Sequence, residues 1–147
     1  MFDFETVEHN PTAKHYWLAR RHGTQALQHA RAAARLRQQE AAMCRNVAGS
    51  TRGTCPLSGR VARIADIAGG VRLQLRKRDH DKPTLARVRC HRARIEATGR
   101  SAMKDCPLDL PALTIRLAKQ GAAIEITTSK AAFVTTLRAR ARACATP

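Results

Sequence analysis

The chain has 147 residues, with 27 Lys and Arg against 11 Asp and Glu, a formal net charge of +16 and a hydrophobic fraction of 44%. That apolar content excludes a disordered polycation and suits one compact domain with an appendage. No apolar run reaches the length of about 18 residues that a membrane-spanning helix needs, and the charge makes a polyanion or an acidic protein surface the natural partner.

The first ten residues, MFDFETVEHN, hold three acidic residues and no basic one, and show no apolar segment of the secretory type. They are expected to form an acidic tail that can fold back on the basic body or dock on a partner. The five cysteines (Cys44, Cys55, Cys90, Cys106 and Cys144) are odd in number. With no export segment read, they are expected as free thiols of a cytoplasmic protein rather than as a disulfide framework.

A long helix is predicted over residues 11–48. Asn10 suits its N-cap and Pro11 its first turn, the stretch to Val47 is rich in Ala, Gln, Arg and Leu, and Gly49 can end it. One face carries Tyr16, Ala19, Gly23, Ala26, Ala30 and Ala33, a small-residue seam suited to close packing in a homo-oligomer or larger assembly. The opposite face carries Arg20, Arg31 and Arg35. His15, His22 and His29 recur every seven residues and so share a face, where a metal site or a pH-sensitive seam could form in an oligomer.

Beyond Cys55 the sequence repeats. Cys55-Pro56-Leu57 recurs as Cys106-Pro107-Leu108, each Cys is followed at fifteen residues by a glycine (Gly70, Gly121), and each glycine by an alternating apolar pair, Leu73 and Leu75, then Ile124 and Ile126. Leu85–Val88 matches Val134–Leu137 in the segment that closes each unit. Leu113, Ile115 and Leu117 alternate before the turn Lys119-Gln120-Gly121, which reads as a hairpin. A rival helix over Pro111–Gln120 is set aside because the repeat pairs this stretch with the first unit's strand. Ser129 is expected to cap the last helix. The first unit's helix is predicted from about Lys82 to Thr98, ending at Gly99.

The expected architecture is therefore α+β: a long N-terminal helix, then a duplicated ββα domain over 55–147, with units of about 55–99 and 106–145. Its hairpins form one four-stranded, mainly antiparallel sheet with helices on one face. The other face would carry Arg72, Gln74 and Arg76, with Arg116, Glu125 and Thr127.

The strands contain no aromatic residue, which argues against base stacking and leaves sequence-tolerant backbone binding by Arg and Lys. The densest cluster is Arg72, Arg76, Lys77 and Arg78, continuing along the helix through Arg87 and Arg94. No phosphate loop, zinc-protease motif or nucleophile elbow is present, so no enzyme activity and no cofactor are assigned. For metals, Cys90 and His91 are neighbours that diverge on a helix, with Cys90 expected to face solvent. Cys106 and Cys144 are expected as small buried thiols. Cys55 and Cys106 hold equivalent places in the repeat and could share a soft metal or form a disulfide. The sequence thus favours a non-enzymatic binder of nucleic acid or a nucleoprotein assembly. A structural subunit docking on acidic protein and a transition-metal or thiol-redox protein are the alternatives.

Overall fold

The computed structural model describes residues 11–79, 82–99 and 103–145. The acidic tail and the Asn10 cap lie outside the described residues. The chain divides into two units, residues 1–38 and 39–147.

Helix α1 spans Pro11–Cys44, a few residues shorter than expected. The cause is at its end, where the Arg52 guanidinium donates to the carbonyls of Cys44 at 2.9 Å and Val47 at 3.0 Å. These bonds satisfy helix-terminal acceptors and turn the chain before Gly49 is reached. Within the first unit Tyr16, Trp17 and Leu27 are exposed.

The second unit holds strands β1 (Val61–Ile67) and β2 (Gly70–Leu75), helix α2 (Lys82–Thr98), strands β3 (Leu113–Ala118) and β4 (Ala123–Thr128), and helix α3 (Val134–Ala145). The strands form one antiparallel sheet in the order β1-β2-β4-β3. Both hairpins and both helices stand where the sequence pattern placed them. The last helix differs at its start: a 3-10 turn over Ala131–Phe133 precedes it, so Ser129 lies too far upstream to cap it.

Leu73 and Ile124, which hold matching places in the sequence repeat, face each other across the β2–β4 ladder, with Val71 opposite Ile126. The inward residues of β2 and β4, Val71, Leu73, Leu75, Ile124 and Ile126, are buried and join Leu57, Val88, Leu108 and Leu137 in one core. Helix α3 packs on β1 and β2. Gly70 permits the central ladder to close, because a Cβ there would lie 1.9 Å from the Ile126 carbonyl oxygen.

On the outer face Arg72 pairs with Glu125, its cross-strand neighbour, through Nε at 2.7 Å, and Glu125 also faces Arg116 on β3. The face is thus a mixed-charge row rather than a purely basic one.

Four cysteines are paired. Cys44 bonds Cys90 and Cys55 bonds Cys106, which corrects the expectation of free thiols. Cys90, expected in solvent, is 1% exposed. Helix α2 is buried on two sides: Val88 joins the sheet core, while Cys90 joins Cys44 and Val47 in a second cluster. Among the described residues Cys144 is the free cysteine, and it is buried, as expected.

Candidate anion cavity and cysteine cluster

Much of the arginine excess holds the fold together. Arg92 donates to the carbonyls of Leu108 and Leu110 at 3.0 and 2.7 Å. Arg138 donates to Ile67 and Gly70, and Arg142 forks onto Asp66. Such guanidinium bonds to backbone carbonyls cap strand and loop ends that would otherwise lack donors. The predicted site residues separate on this criterion. Arg72 is tied to Glu125, and Arg94 donates to the Arg52 carbonyl at 2.7 Å with Glu40 at 3.7 Å. Arg20 stacks over Tyr16 in the first unit, where Arg31 and Arg35 are exposed.

Arg76, Lys77, Arg78 and Arg87 remain. Arg87 lines a cavity of about 280 Å³ with Thr51, Thr54, Cys55, Pro56, Ser58 and Arg60. Arg60 reaches Asp79 Oδ1 at 3.3 Å and Thr84 Oγ1 at 3.1 Å. The Arg60 carbonyl accepts from the Arg76 N–H at 2.8 Å, which carries the basic strip from the cavity to Arg76, Lys77 and Arg78. Asp79 is the carboxylate within this strip among the described residues, and Arg60 and Arg78 both lie against it. Arg60 escaped the sequence reading. It stands just before β1, away from any basic run, and only the fold brings it beside Arg87.

A second cluster borders the cavity. Cys55 is half-buried on the cavity wall. The Cys144 sulfur lies 3.9 Å from the Cys55 sulfur, and the Cys106 sulfur lies 3.7 Å from His91 Nε2. His91 Nε2 donates to Asp109 Oδ1 at 2.5 Å, and Asp109 Oδ2 accepts from the Met103 N–H at 3.1 Å. His91 and Asp109 are both buried. Burial pushes the Cys144 thiol up to about 11, because the charged form loses its hydration there. No local pattern marks the His91–Asp109 pair, since the two residues stand 18 apart on different elements.

The donor atoms of His91, Cys106 and Asp109 lie within 4.8 Å of one another. The Cys106 sulfur is held in a disulfide, however, and a disulfide sulfur is not the thiolate that a soft metal takes. The same holds for Cys55. His15, His22 and His29 are exposed along α1.

No protein-family model, curated protein or solved structure matches this chain. Among the described residues no helix is long and apolar enough to cross a membrane.

Proposed function

We propose that the chain is a non-enzymatic binder of phosphate-rich polymers, with the nucleic-acid backbone as its ligand. The observation that carries this reading is the basic strip running from Arg87 and Arg60 at the cavity to Arg76, Lys77 and Arg78, with Asp79 as its carboxylate among the described residues. Arg60 and Arg78 share the Asp79 carboxylate, so the strip keeps a positive excess able to meet phosphate oxygens. Lack of strand aromatics favours contact with the backbone over stacking on bases. Arg20, Arg31 and Arg35 on α1 are exposed and can meet phosphate oxygens on their own. Exposed Tyr16, Trp17 and Leu27 favour a second copy of the chain on that helix, and light scattering on the pure protein reads this directly.

The compartment follows the cysteines. Two disulfides persist in oxidising surroundings, so we propose such surroundings in place of the cytoplasm expected from the sequence. Binding to an oligonucleotide duplex, followed by fluorescence anisotropy across a salt series, tests the function. Affinity should fall steeply as salt rises, because each neutralised phosphate releases counterions. A flat salt response would remove the proposal, and so would preference for an acidic protein over the duplex.

A further inference from the structure

Five side chains stand in a chemically ordered row: the Cys144 thiol, Cys55 and Cys106 joined by a disulfide, then His91 and Asp109. We propose that this row is a thiol–disulfide exchange centre, in which Cys55 changes partner between Cys106 and Cys144, and which admits small anionic thiols through the Arg60 and Arg87 cavity.

Each member has a role set by its position. Exchange needs a thiol sulfur close to one sulfur of a disulfide and a stabilised leaving sulfur on the other. Cys144 meets the first need, 3.9 Å from Cys55. His91 meets the second, because its Nε2, which carries the proton donated to Asp109, also lies 3.7 Å from Cys106. In the step, the Cys144 thiolate attacks the Cys55 sulfur. The Cys55–Cys106 bond breaks as the Cys55–Cys144 bond forms, and Cys106 leaves with the electron pair. The His91 Nε2–H turns its hydrogen bond to the leaving Cys106 thiolate, which then takes up the proton lost by Cys144. No electron enters or leaves the protein, so no oxidant or reductant is required.

Burial keeps the Cys144 thiol largely protonated at neutral pH, so direct exchange is slow in the resting protein. An external thiol offers the faster entry. Cys55 is the half-buried sulfur and lines the cavity, while Cys106 is 1% exposed. An incoming thiolate is drawn by Arg60 and Arg87 and attacks Cys55. Cys106 again leaves as a thiolate held by the His91 Nε2–H, and the small thiol remains as a mixed disulfide on Cys55. Cys144 then displaces it, giving the Cys55–Cys144 bond and returning the small thiolate, while the proton lost by Cys144 passes to Cys106. The preference for an anionic thiol rests on the cationic reading of the cavity, whereas the exchange step does not.

The test uses the full-length oxidised chain with a small amount of reduced glutathione, quenched in acid, unfolded, alkylated with N-ethylmaleimide and peptide-mapped. Alkylation should move from Cys144 to Cys106 with time, and a peptide linked through Cys55 and Cys144 should appear. In Cys144→Ser, a glutathione adduct should collect on Cys55 with Cys106 alkylated. Alkylation that stays on Cys144 throughout, or an adduct found on Cys106, overturns the proposal. His91→Gln should slow exchange by about tenfold or more, as loss of a hydrogen-bond donor to a developing anion does. Asp109→Asn should slow it similarly, and the double variant should add no further loss, because the pair acts as a unit; unchanged exchange in both single variants overturns the role of the pair. Replacing glutathione by neutral 2-mercaptoethanol should slow the shift. Equal rates for the two thiols would discard the anionic preference and the cavity reading together, while a shift to Cys106 with either thiol would leave the exchange step standing.

Discussion

Arg87 and Arg94 lie seven residues apart on α2 and carry the same charge, yet the structure gives them different work. Arg94 donates to the Arg52 carbonyl at 2.7 Å and lies 3.7 Å from Glu40, with its side chain 38% exposed. A hydrogen bond from a charged donor contributes about 1.5–3 kcal/mol, and partial exposure reduces that to about 1–2 kcal/mol here. Arg94→Ala should therefore lower the melting temperature by about 5–10 °C in a unit of this size. Arg87 lines the cavity wall and has no ion pair or hydrogen bond identified among the described residues, so Arg87→Ala should stay within about 0.5 kcal/mol of the parent. Binding should reverse the order. Loss of one phosphate contact reduces the slope of log affinity against log salt by about 0.9 for duplex DNA, and Arg87→Ala should show that reduction. Thermal denaturation followed by circular dichroism reads the first effect, and anisotropy across a salt series reads the second. An Arg87→Ala protein with the parent salt slope, or an Arg94→Ala protein with the parent melting temperature, would refute the division between binding and structural arginines.

Other outcomes follow from particular atoms. Gly70→Ala places a Cβ 1.9 Å from the Ile126 carbonyl oxygen and 2.8 Å from the Thr127 Cα; backbone on both sides cannot yield cheaply, so urea unfolding should show a loss of about 3 kcal/mol or more. Reduction of Cys44–Cys90 and Cys55–Cys106, which span 46 and 51 residues, removes chain constraints that each contribute up to about 4 kcal/mol; an unchanged unfolding midpoint in reducing buffer would contradict this. Cys144 sets an alkaline limit. Its thiol titrates from 9.0 when unfolded to about 11 when folded. Above pH 9 the unfolded chain gives up that proton first, so stability falls as pH rises towards 11, by at most about 2–3 kcal/mol. In Cys144→Ala that part of the alkaline slope should vanish from urea titrations.

What the sequence disclosed, and what it hid, follows from the range of each interaction. The hairpins were legible because Leu113, Ile115 and Leu117, like Val71, Leu73 and Leu75, alternate over a few residues. The repeat of Cys-Pro-Leu and glycine also exposed the equivalence of Cys55 and Cys106, and their pairing was among the outcomes considered. The Cys44–Cys90 bond was hidden by a false premise about α2. A helix taken to bury one face through Leu85 and Val88 turns Cys90 outward. In the fold a second side is covered by the end of α1, and Cys90 and His91 are both buried. Asp109 and Pro111 resemble a helix start, a reading the repeat sets aside, but nothing local to Asp109 marks its carboxylate as the partner of His91. The basic strip was legible as far as its local run, Arg76, Lys77 and Arg78, while Arg60 required the tertiary structure.

The exchange centre has a direction, because different groups stand beside the two sulfurs of the Cys55–Cys106 bond. Helix α3 lies over β1 and β2 and sets Cys144 beside Cys55, while helix α2 sets His91 beside Cys106. In the sequence match of Val88 to Leu137, Ile95 stands at the place of Cys144 and Arg140 at the place of His91. Helix α3 thus supplies a nucleophile to one sulfur and helix α2 a hydrogen-bond donor to the other. Cys144→Ile tests whether this asymmetry carries the chemistry, since it sets at the buried end of α3 the residue type that Ile95 has on α2. The Cys55–Cys106 bond should then stay fixed under the glutathione conditions that shift it in the parent, and duplex binding should keep its salt slope. Loss of both properties together would instead place the anion site and the cysteine row in one functional unit.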